Sequence, residues 1–481
     1  MTAPSIPPTA PSGERPAAVP SPLDRLELRT GMDGELVLPA EPGWDEARAA
    51  WHLTVDQRPE FVALPESVDD VVAVARYAAA TGLRIAAQRT GHGAPAMEDL
   101  TGTILLRTSR MQGVEIDPVA RRARVAAGAL WQDVVPMAAE HGLAALHGSA
   151  PDIGVVGYSL GGGIGWLARR YGLACNSVLA AELVTPDGQL LRVDPDHHAE
   201  LFWALRGGGG SFGIVTSLEF ALYPIREVYA GVLFFPLERA REVLHAWRDW
   251  TGDVTDAVTS VGRLLRFPPL PDLPEFLRGR SFVVVEACFL DGEAAARSSL
   301  QPLRELGPEI DTFATTSVTR LPELHMDPPE PVPAMVDHRL LGGMSPAAID
   351  AVVDAAGPSV DSPLLSVEVR HLGGALGISD TDHGVLDRVG ADYALVGVGM
   401  PVTPELGQAI EAHLDTVTGA VEPWVTGREY LNFAERPTTT AKLFGGPGAD
   451  RLAAIATAYD PDARMVANHP VRAPRSTAPT A

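Results

Sequence analysis

One histidine lies in a setting suited to chemistry on a bound ligand. His92 stands between Gly91 and Gly93 in the segment RTGHG, which directly follows a predicted strand. Glycines on both sides expose the imidazole and let a planar ligand approach the backbone closely. Most of the 13 histidines of the chain are expected to be surface or hydrogen-bonded core residues. His92 therefore becomes a candidate functional residue only together with other signals.

Two glycine-rich segments supply such a signal. Residues 148–165 read GSAPDIGVVGYSLGGGIG, and residues 206–213 read RGGGGSFG directly before a predicted strand. Glycine permits positive φ and close backbone approach, so peptide N–H groups can surround a pyrophosphate. The pair therefore favours a dinucleotide ligand. The alternative is that both segments are tight turns between short strands.

A nicotinamide-binding fingerprint is a third interpretation of the first segment. Residues 163–168, GIGWLA, fit the G-x-G-x-x-A pattern, and Glu182 lies near the place of its ribose-binding acid. The fingerprint requires a hydrophobic strand that runs directly into the first glycine. The preceding residues 158–162 are YSLGG, so the sequence argues against this route.

Composition excludes several partners. The chain has 481 residues and a formal net charge of −23, which argues against a nucleic-acid partner, because such binding depends on Lys and Arg. Cys175 and Cys288 are too far apart in sequence to indicate a disulfide framework or a zinc site. We find no apolar run of the roughly 18 residues that a membrane span needs and no secretory leader. We therefore expect a cytoplasmic protein, and the sequence leaves its oligomeric state open.

The element that positions His92 is predicted to be a strand-helix-strand unit. Residues 61–64 (FVAL) form its first strand, Ser67 and Asp70 form a capping box for the helix, and Gly82 ends that helix. Residues 84–88 form the second strand, which delivers the 89–93 turn at its C-terminal tip. Strand tips of this kind commonly carry ligands.

The whole chain is predicted to be α+β, with an inserted antiparallel sheet and helices on one of its faces. Alternating apolar strands and amphipathic helices occupy the middle of the chain, and a strand after Tyr430 followed by a helix is expected near the end. The predicted division is a flexible tail (1–43), a first unit (44–225), the inserted domain (226–424), a return to the first unit (425–472) and a second tail (473–481).

Short motifs on both sides of the inserted domain form an ordered set: QRTGH at 88–92, GSAPDIGVVG at 148–157, GGGIG at 161–165, RYGL at 170–173, LFWALR at 201–206, YLNF at 430–433 and YDP at 459–461. In order and spacing this set resembles the berberine bridge enzyme-like family of FAD-linked oxidases, within the vanillyl-alcohol oxidase or PCMH-type superfamily. The resemblance implies that 44–225 and 425–472 form a two-part FAD-binding domain and that 226–424 bind the substrate.

The resemblance also implies a covalent flavin. His92 occupies the position that bonds to the flavin 8α-methyl group in this family, whereas the cysteine that many members add as a second tether corresponds to Ala150. We therefore expect FAD held by one covalent link. The other residues expected around FAD are Gln88, Arg89, Thr90, Gly91, Gly93, Ser149, Ala150, Asp152, Ile153, Gly154, Gly157, Gly161, Gly162, Gly213, Ile214, Val215 and Asn432.

The family resemblance implies Tyr430 as the catalytic base. A tyrosine with a pKa near about 10 needs a nearby cation to act as a base at neutral pH, and Arg370 is one candidate. Glu368 shares a strand face with Arg370, and the alternative for this pair is a surface ion pair. Tyr158 is expected either to hydrogen-bond the substrate or to pack beneath the flavin.

The expected function is an FAD-dependent oxidase that removes hydride from a C–OH or C–N centre of a small organic molecule. A natural-product intermediate is one expected substrate, and dioxygen would reoxidise the flavin and yield hydrogen peroxide. A Pro-rich, apolar middle domain favours a hydrophobic substrate. Three alternatives stay open: a dehydrogenase with another electron acceptor, a redox-neutral flavin-binding cyclase or scaffold, and a colourless protein whose glycine loops are only structural.

Overall fold

The computed structural model describes residues 22–97, 99–271, 274–328 and 330–472. Three sheets organise the chain, and the first has four strands in the order β1-β2-β4-β3. β2 and β3 both run parallel to β4, whereas β1 pairs antiparallel with β2. The elements of this region are α1 (Pro22–Gly31), β1 (Glu35–Val37), α2 (Trp44–Arg48), β2 (Phe61–Leu64), α3 (Val68–Thr81), β3 (Arg84–Gln88) and β4 (Thr103–Arg107).

The strand-helix-strand unit that leads to His92 is confirmed. Ser67 Oγ accepts from the Asp70 N–H, the Asp70 carboxylate accepts from the Ser67 N–H, and Gly82 ends α3 at φ 76°. This cap satisfies backbone N–H groups that no helical carbonyl can reach. β3 then delivers the 89–93 turn at its C-terminal end.

Part of the predicted N-terminal tail is wrong. Residues 22–37 contain α1 and β1 rather than flexible chain, because β1 pairs with the edge of β2. The Asp70 carboxylate also accepts from the N–H groups of Asp33 and Gly34. Residues 1–21 and 473–481 lie outside the described residues.

The second sheet completes the first structural unit. Its five strands are antiparallel in the order β5-β6-β9-β7-β8, and a hairpin around Gly188 joins β7 to β8. The elements are β5 (Val114–Asp117), β6 (Arg122–Ala126), α4 (Trp131–Glu140), α5 (Val155–Leu160), α6 (Ala168–Tyr171), β7 (Val178–Val184), β8 (Leu190–Val193), α7 (Ala199–Leu205) and β9 (Ile214–Ala221).

The inserted domain is the predicted antiparallel sheet with helices on one face. Its strands follow the order β13-β10-β12-β11-β16-β17-β15, with β14 also paired to β10. Alternate strand residues pack with the helices in one apolar core, whereas Arg263, Glu286 and Glu368 occupy positions between those core residues. The elements are β10 (Glu227–Pro236), α8 (Ala240–Thr251), β11 (Val258–Arg266), β12 (Ser281–Phe289), α9 (Glu293–Arg304), β13 (Ile310–Asp311), β14 (Ala314–Ser317), β15 (Met335–Leu341), α10 (Pro346–Ala356), β16 (Ser366–His371), β17 (Tyr393–Gly399) and α11 (Pro404–Ala420).

The C-terminal segment returns to the first unit. α12 (Thr440–Phe444) and α13 (Gly446–Tyr459) are followed by backbone hydrogen bonds between Ile85 in β3 and both Arg464 and Val466. The strand predicted after Tyr430 is wrong: residues Leu431–Phe433 form a short 3₁₀ helix. The Tyr430 N–H donates to the ring of His338 instead of to a neighbouring strand.

Further 3₁₀ turns occupy Ala94–Ala96, Thr108–Arg110, Ala174–Ser177, Leu237–Arg239, Val318–Glu323, Gly374–Gly377 and Glu422–Trp424. Over the part of the chain that the structure describes, every helix is too short or too polar to cross a lipid bilayer.

Candidate functional site

A large cavity lies where the pieces of the first unit meet the inserted sheet. Five stretches of chain form its wall, at 87–93, 148–164, 209–215, 431–435 and 466–468, and Arg370 enters from β16. The two glycine-rich segments and the His92 turn therefore line one shared concavity, as the sequence predicts.

His92 lies in the wall of this cavity as a neutral imidazole. Its Nδ1 is 2.7 Å from Thr90 Oγ1, while Nε2 is buried without a hydrogen-bond partner among the described residues. Burial, assisted by the nearby charge of His52, lowers the pKa of His92 to about 3. An unprotonated ring nitrogen carries the lone pair that a nucleophile needs.

Glycines shape the cavity in two ways. At Gly157 and Gly210 an added Cβ would meet no atom within 4 Å, so these residues leave space for a ligand. At Gly161 an added Cβ would lie 1.8 Å from Asn432 Oδ1, so glycine permits close approach of the C-terminal segment. Asn432 Nδ2 also donates to the Tyr158 carbonyl at 3.0 Å.

The cavity brings most of the predicted cofactor residues together. Those in its wall are Gln88, Arg89, Thr90, Gly91, His92, Gly93, Ser149, Ile153, Gly154, Gly157, Gly161, Gly213, Val215 and Asn432.

Four predicted cofactor residues do not line the cavity. The Asp152 carboxylate accepts from the indole N–H of Trp51, and Gly162 packs against Leu386 and Tyr430. Ile214 lies in the core beneath the first sheet, and Ala150 is a buried residue outside the cavity wall.

Tyr430, the expected base, is buried beside the cavity rather than in its wall. Its ring is 1% exposed and packs in an apolar cluster with Leu386 and Ile164, outside the cavity wall. Burial, reinforced by the nearby Tyr158, raises the pKa of Tyr430 well above its usual range. The phenolate is therefore disfavoured in this arrangement, and the role of Tyr430 as a base stays a prediction.

Tyr158 is the tyrosine in the cavity wall. Its hydroxyl is buried and has no hydrogen-bond partner in the described chain, and its ring packs edge-on against Trp131 at 5.5 Å. Burial raises the pKa of Tyr158, which the charge of Arg370 only partly opposes. A neutral hydroxyl of this kind can donate to or accept from a ligand, but it is a poor base.

Arg370 and Glu368 belong to a buried charge network rather than to the protein surface. Arg370 Nε donates to Glu368 Oε1 at 2.7 Å, and Glu368 is 2% exposed. His325 joins the two acids: its Nδ1 is 2.5 Å from Glu286 Oε2 and its Nε2 is 2.7 Å from Glu368 Oε2. Arg263 closes the network with a 3.2 Å contact to Glu286. The alternative of a surface ion pair is therefore wrong.

The network keeps His325 protonated. Burial alone would lower the pKa of His325, but the carboxylates of Glu286 and Glu368 raise it to about 9. Burial likewise opposes ionisation of Glu368, whereas Arg370 and His325 hold its pKa below the usual range. Arg370 thus reaches the cavity wall with its guanidinium fixed from behind by a carboxylate.

Several residues of the site are not among those predicted from the sequence. Glu286 is the one charged residue in the strand SFVVVEACF, a signal that an apolar strand contains a paired acid. No comparable signal in the sequence marks His325 or Arg263. Trp51 and His52 were also missed, although Trp51 stacks on His92 and His52 pairs with Glu435 of the cavity wall at 2.8 Å.

Comparison with known proteins gives the class. The family model described as an FAD binding domain matches residues 59–194. (R)-6-hydroxynicotine oxidase of Paenarthrobacter nicotinovorans is 37% identical over 210 residues, covering 44% of this chain and 46% of the relative. Glucooligosaccharide oxidase of Sarocladium strictum is 34% identical over 39% of this chain and 38% of the relative. The chain thus spans about half the length, or less, of the curated relatives that it matches.

Solved structures match over more of the chain. The crystal structure of 6-hydroxy-D-nicotine oxidase from Arthrobacter nicotinovorans has a TM-score of 0.76 at 27% identity, covering 90% of this chain and 96% of that one. Berberine bridge enzyme-like 1 of Physcomitrella patens has a TM-score of 0.80 at 16% identity, covering 93% and 98%. Residues 59–194 therefore form an FAD binding domain. The described chain shares its fold with the berberine bridge enzyme-like protein.

Proposed function

We propose that this protein is an FAD-dependent oxidase that carries its flavin on His92 and removes hydride from a C–OH or C–N centre of a small molecule. The observation that carries the proposal is the neutral His92 imidazole in the wall of a glycine-lined cavity, whose buried Nε2 has no hydrogen-bond partner among the described residues. The names of the relatives, a hydroxynicotine oxidase and a glucooligosaccharide oxidase, support amines and alcohols as substrate classes.

The residues of the cavity fit FAD. Gly157 and Gly210 leave open the space that a side chain would fill, and glycine-rich backbone of this kind surrounds phosphates with N–H groups. When bound, FAD supplies the acceptor for a hydride. The covalent link also prevents the cofactor from dissociating.

His92 would provide the sole covalent link. Ala150, at the place of the second tether, has no nucleophilic atom. Both cysteines are fully buried and outside the cavity wall, and burial raises the pKa of Cys175 and Cys288 to about 12. Their thiols are therefore protonated at neutral pH and unreactive as nucleophiles.

The substrate would meet two polar groups in the cavity. Within the described chain the Tyr158 hydroxyl has no hydrogen-bond partner, so it can hydrogen-bond the heteroatom of the reacting centre. Arg370 presents a fixed positive charge, which stabilises negative charge on a bound oxygen or nitrogen. A charged wall of this kind favours a substrate with a polar group over the purely hydrophobic molecule expected from composition.

Acid precipitation of the purified protein tests the covalent link. Yellow colour is expected to stay with the pellet of the wild-type protein and to move to the supernatant for His92→Ala. Release of all colour by the wild-type protein contradicts a covalent flavin, and a colourless protein contradicts flavin binding altogether.

Peroxide release over a panel of alcohols and amines tests the reaction. A true substrate is expected to bleach the flavin spectrum under anaerobic conditions, and air is expected to restore the colour within seconds. Bleaching without rapid recovery in air identifies a dehydrogenase, and turnover without bleaching identifies a redox-neutral enzyme.

A further inference from the structure

A short irregular segment, Ala50–Leu53, packs directly on the His92 turn. The indole of Trp51 lies nearly parallel to the His92 imidazole, with ring centroids 4.2 Å apart and an interplanar angle of 22°. The backbone N–H of Trp51 also donates to the Thr90 carbonyl at 2.8 Å. Trp51 thus covers one face of the ring and is fixed to the backbone of the same turn.

Asp152 holds the indole in this orientation. Trp51 Nε1 donates to Asp152 Oδ2 at 2.5 Å, a charge-assisted hydrogen bond. The same oxygen is 4.0 Å from His92 Nε2. Asp152 therefore contributes to the site through Trp51 rather than through the cavity wall.

The backbone of the turn leaves little room for another arrangement. Gly91 has a φ of 91°, and an added Cβ would lie 2.8 Å from the Ala50 Cα. The backbone at Gly91 therefore packs directly against Ala50, the residue before Trp51. Thr90 Oγ1 meanwhile contacts Nδ1 of His92. The ring is then held on one edge by Thr90 and on one face by Trp51, which leaves Nε2 as its unpartnered nitrogen.

We propose that Trp51, held by Asp152, is a positioning residue for covalent attachment of the flavin to His92. This inference rests on the proposed function. The second side-chain torsion of histidine has a broad energy profile. An imidazole with no packing against its faces would therefore rotate, and the Nε2 lone pair would point in many directions. Stacking on the indole fixes the plane of the ring, and a fixed direction of attack is a large part of the rate of bond formation.

The attachment step balances with dioxygen as the oxidant. His92 Nε2 forms a C–N bond to the 8α-carbon, and one C–H bond of that carbon breaks. The imidazole loses its Nδ1 proton. In the tautomer that leaves the Nε2 lone pair free, this N–H donates a hydrogen bond to Thr90 Oγ1. The two electrons and two protons released pass to dioxygen and yield hydrogen peroxide.

The experiment separates attachment from binding. Wild-type protein, Trp51→Leu and Trp51→Phe are incubated in air with excess FAD, and samples are taken over time. Total FAD per chain is measured on the native protein, and covalent FAD is measured after acid precipitation. We expect Trp51→Leu to bind as much FAD as the wild type but to attach it at least about 10-fold more slowly. Trp51→Phe keeps an aromatic face and is expected to recover most of the rate.

Two further variants test the support from Asp152. Asp152→Asn retains an oxygen that accepts from the indole and is expected to attach flavin at close to the wild-type rate. Asp152→Ala is expected to attach flavin slowly, as Trp51→Leu does. Trp203→Leu is the matched control, because Trp203 is a partly buried tryptophan that packs against another cluster and lies outside the cavity wall.

Each outcome decides the matter. A wild-type rate in Trp51→Leu overturns the inference, as does a loss of total FAD that parallels the loss of covalent FAD, because the role of Trp51 would then be structural. If the wild-type protein holds no covalent flavin, the proposed link through His92 fails and the inference fails with it. If the wild-type protein attaches flavin and all variants attach it at the same rate, only the proposed role of Trp51 is wrong.

Discussion

Replacing Glu286 by glutamine is expected to destabilise the protein in a pH-dependent way. Glu286 is fully buried and contacts two cations, His325 and Arg263. Glutamine keeps the size of the side chain but removes the negative charge. The variant therefore leaves two buried cations with fewer counter-charges, which is a costly change in a protein interior.

The structure gives the size of the effect. A pKa raised from 6.5 to about 9 in the folded protein means that protonated His325 contributes roughly 3 kcal/mol to stability, at about 1.4 kcal/mol for each tenfold change in proton affinity. Glu286 provides the largest favourable share of this shift. We expect Glu286→Gln to lower the free energy of unfolding by about 2 to 3 kcal/mol at pH 6.

The sign with pH follows from the direction of the shift. Because the folded-state pKa is raised, the contribution of His325 is fully present below pH 6.5 and is lost as the pH rises toward about 9. The difference between wild type and variant is therefore expected to be large at pH 6 and smaller at pH 9. A residual difference at pH 9 would come from Arg263, which keeps its charge.

Urea unfolding at pH 6, 7, 8 and 9, followed by tryptophan fluorescence, measures this difference. Glu200→Gln is the control, because Glu200 forms an exposed pair with Arg451, and such pairs contribute about 1 kcal/mol or less. A Glu286→Gln variant as stable as the control at pH 6, or equally destabilised at pH 6 and pH 9, would refute a charged His325 in the folded protein.

Two other changes are expected to act on the cofactor site and on acid stability. Gly157→Ala is expected to fold with an unchanged melting temperature but to lose most of its FAD, because its methyl group would occupy open cavity space. Gly343→Ala is the control, since Gly343 also borders open space but lies outside the cavity wall, and it should keep a normal FAD content. A normal FAD content in Gly157→Ala would contradict the placement of FAD in this cavity. Burial lowers the pKa of His147 and His338 to about 4 and of His371 to about 3. In this pH range the unfolded chain therefore binds protons that the folded chain does not bind. The free energy of unfolding is expected to fall as the pH drops from 6.5 toward 4. Urea titrations at pH 7 and pH 5 measure this, and a His371→Gln variant with the full wild-type pH dependence would contradict the contribution of that residue.

Local signals in the sequence predicted the scaffold of the site well. The capping box at Ser67 and the glycine at position 82 act over a few residues, so they could be recognised without tertiary information. The shared concavity of the two glycine-rich segments was predicted because both lie beside strands.

Features that depend on distant partners could not be predicted in the same way. Trp51 lies in an irregular segment, and its significance comes from Asp152, 101 residues later. The buried acids Glu286 and Glu368 acquire counter-charges from separate strands and from the segment after Val318–Glu323. The burial of Tyr430 could not be predicted, because a residue type and a motif do not say which way a ring points.

The cavity wall joins pieces from opposite ends of the chain, and this has a consequence for the timing of maturation. Ile85 of β3 is hydrogen-bonded to Arg464 and Val466, and Asn468 lies against Gly93 beside His92. A ribosome that has just released the His92 turn has yet to make more than 370 residues before this wall can close. Flavin capture therefore has to wait until residues 464–468 have been made and have folded back onto β3. A nascent chain that stops short of these residues would remain colourless.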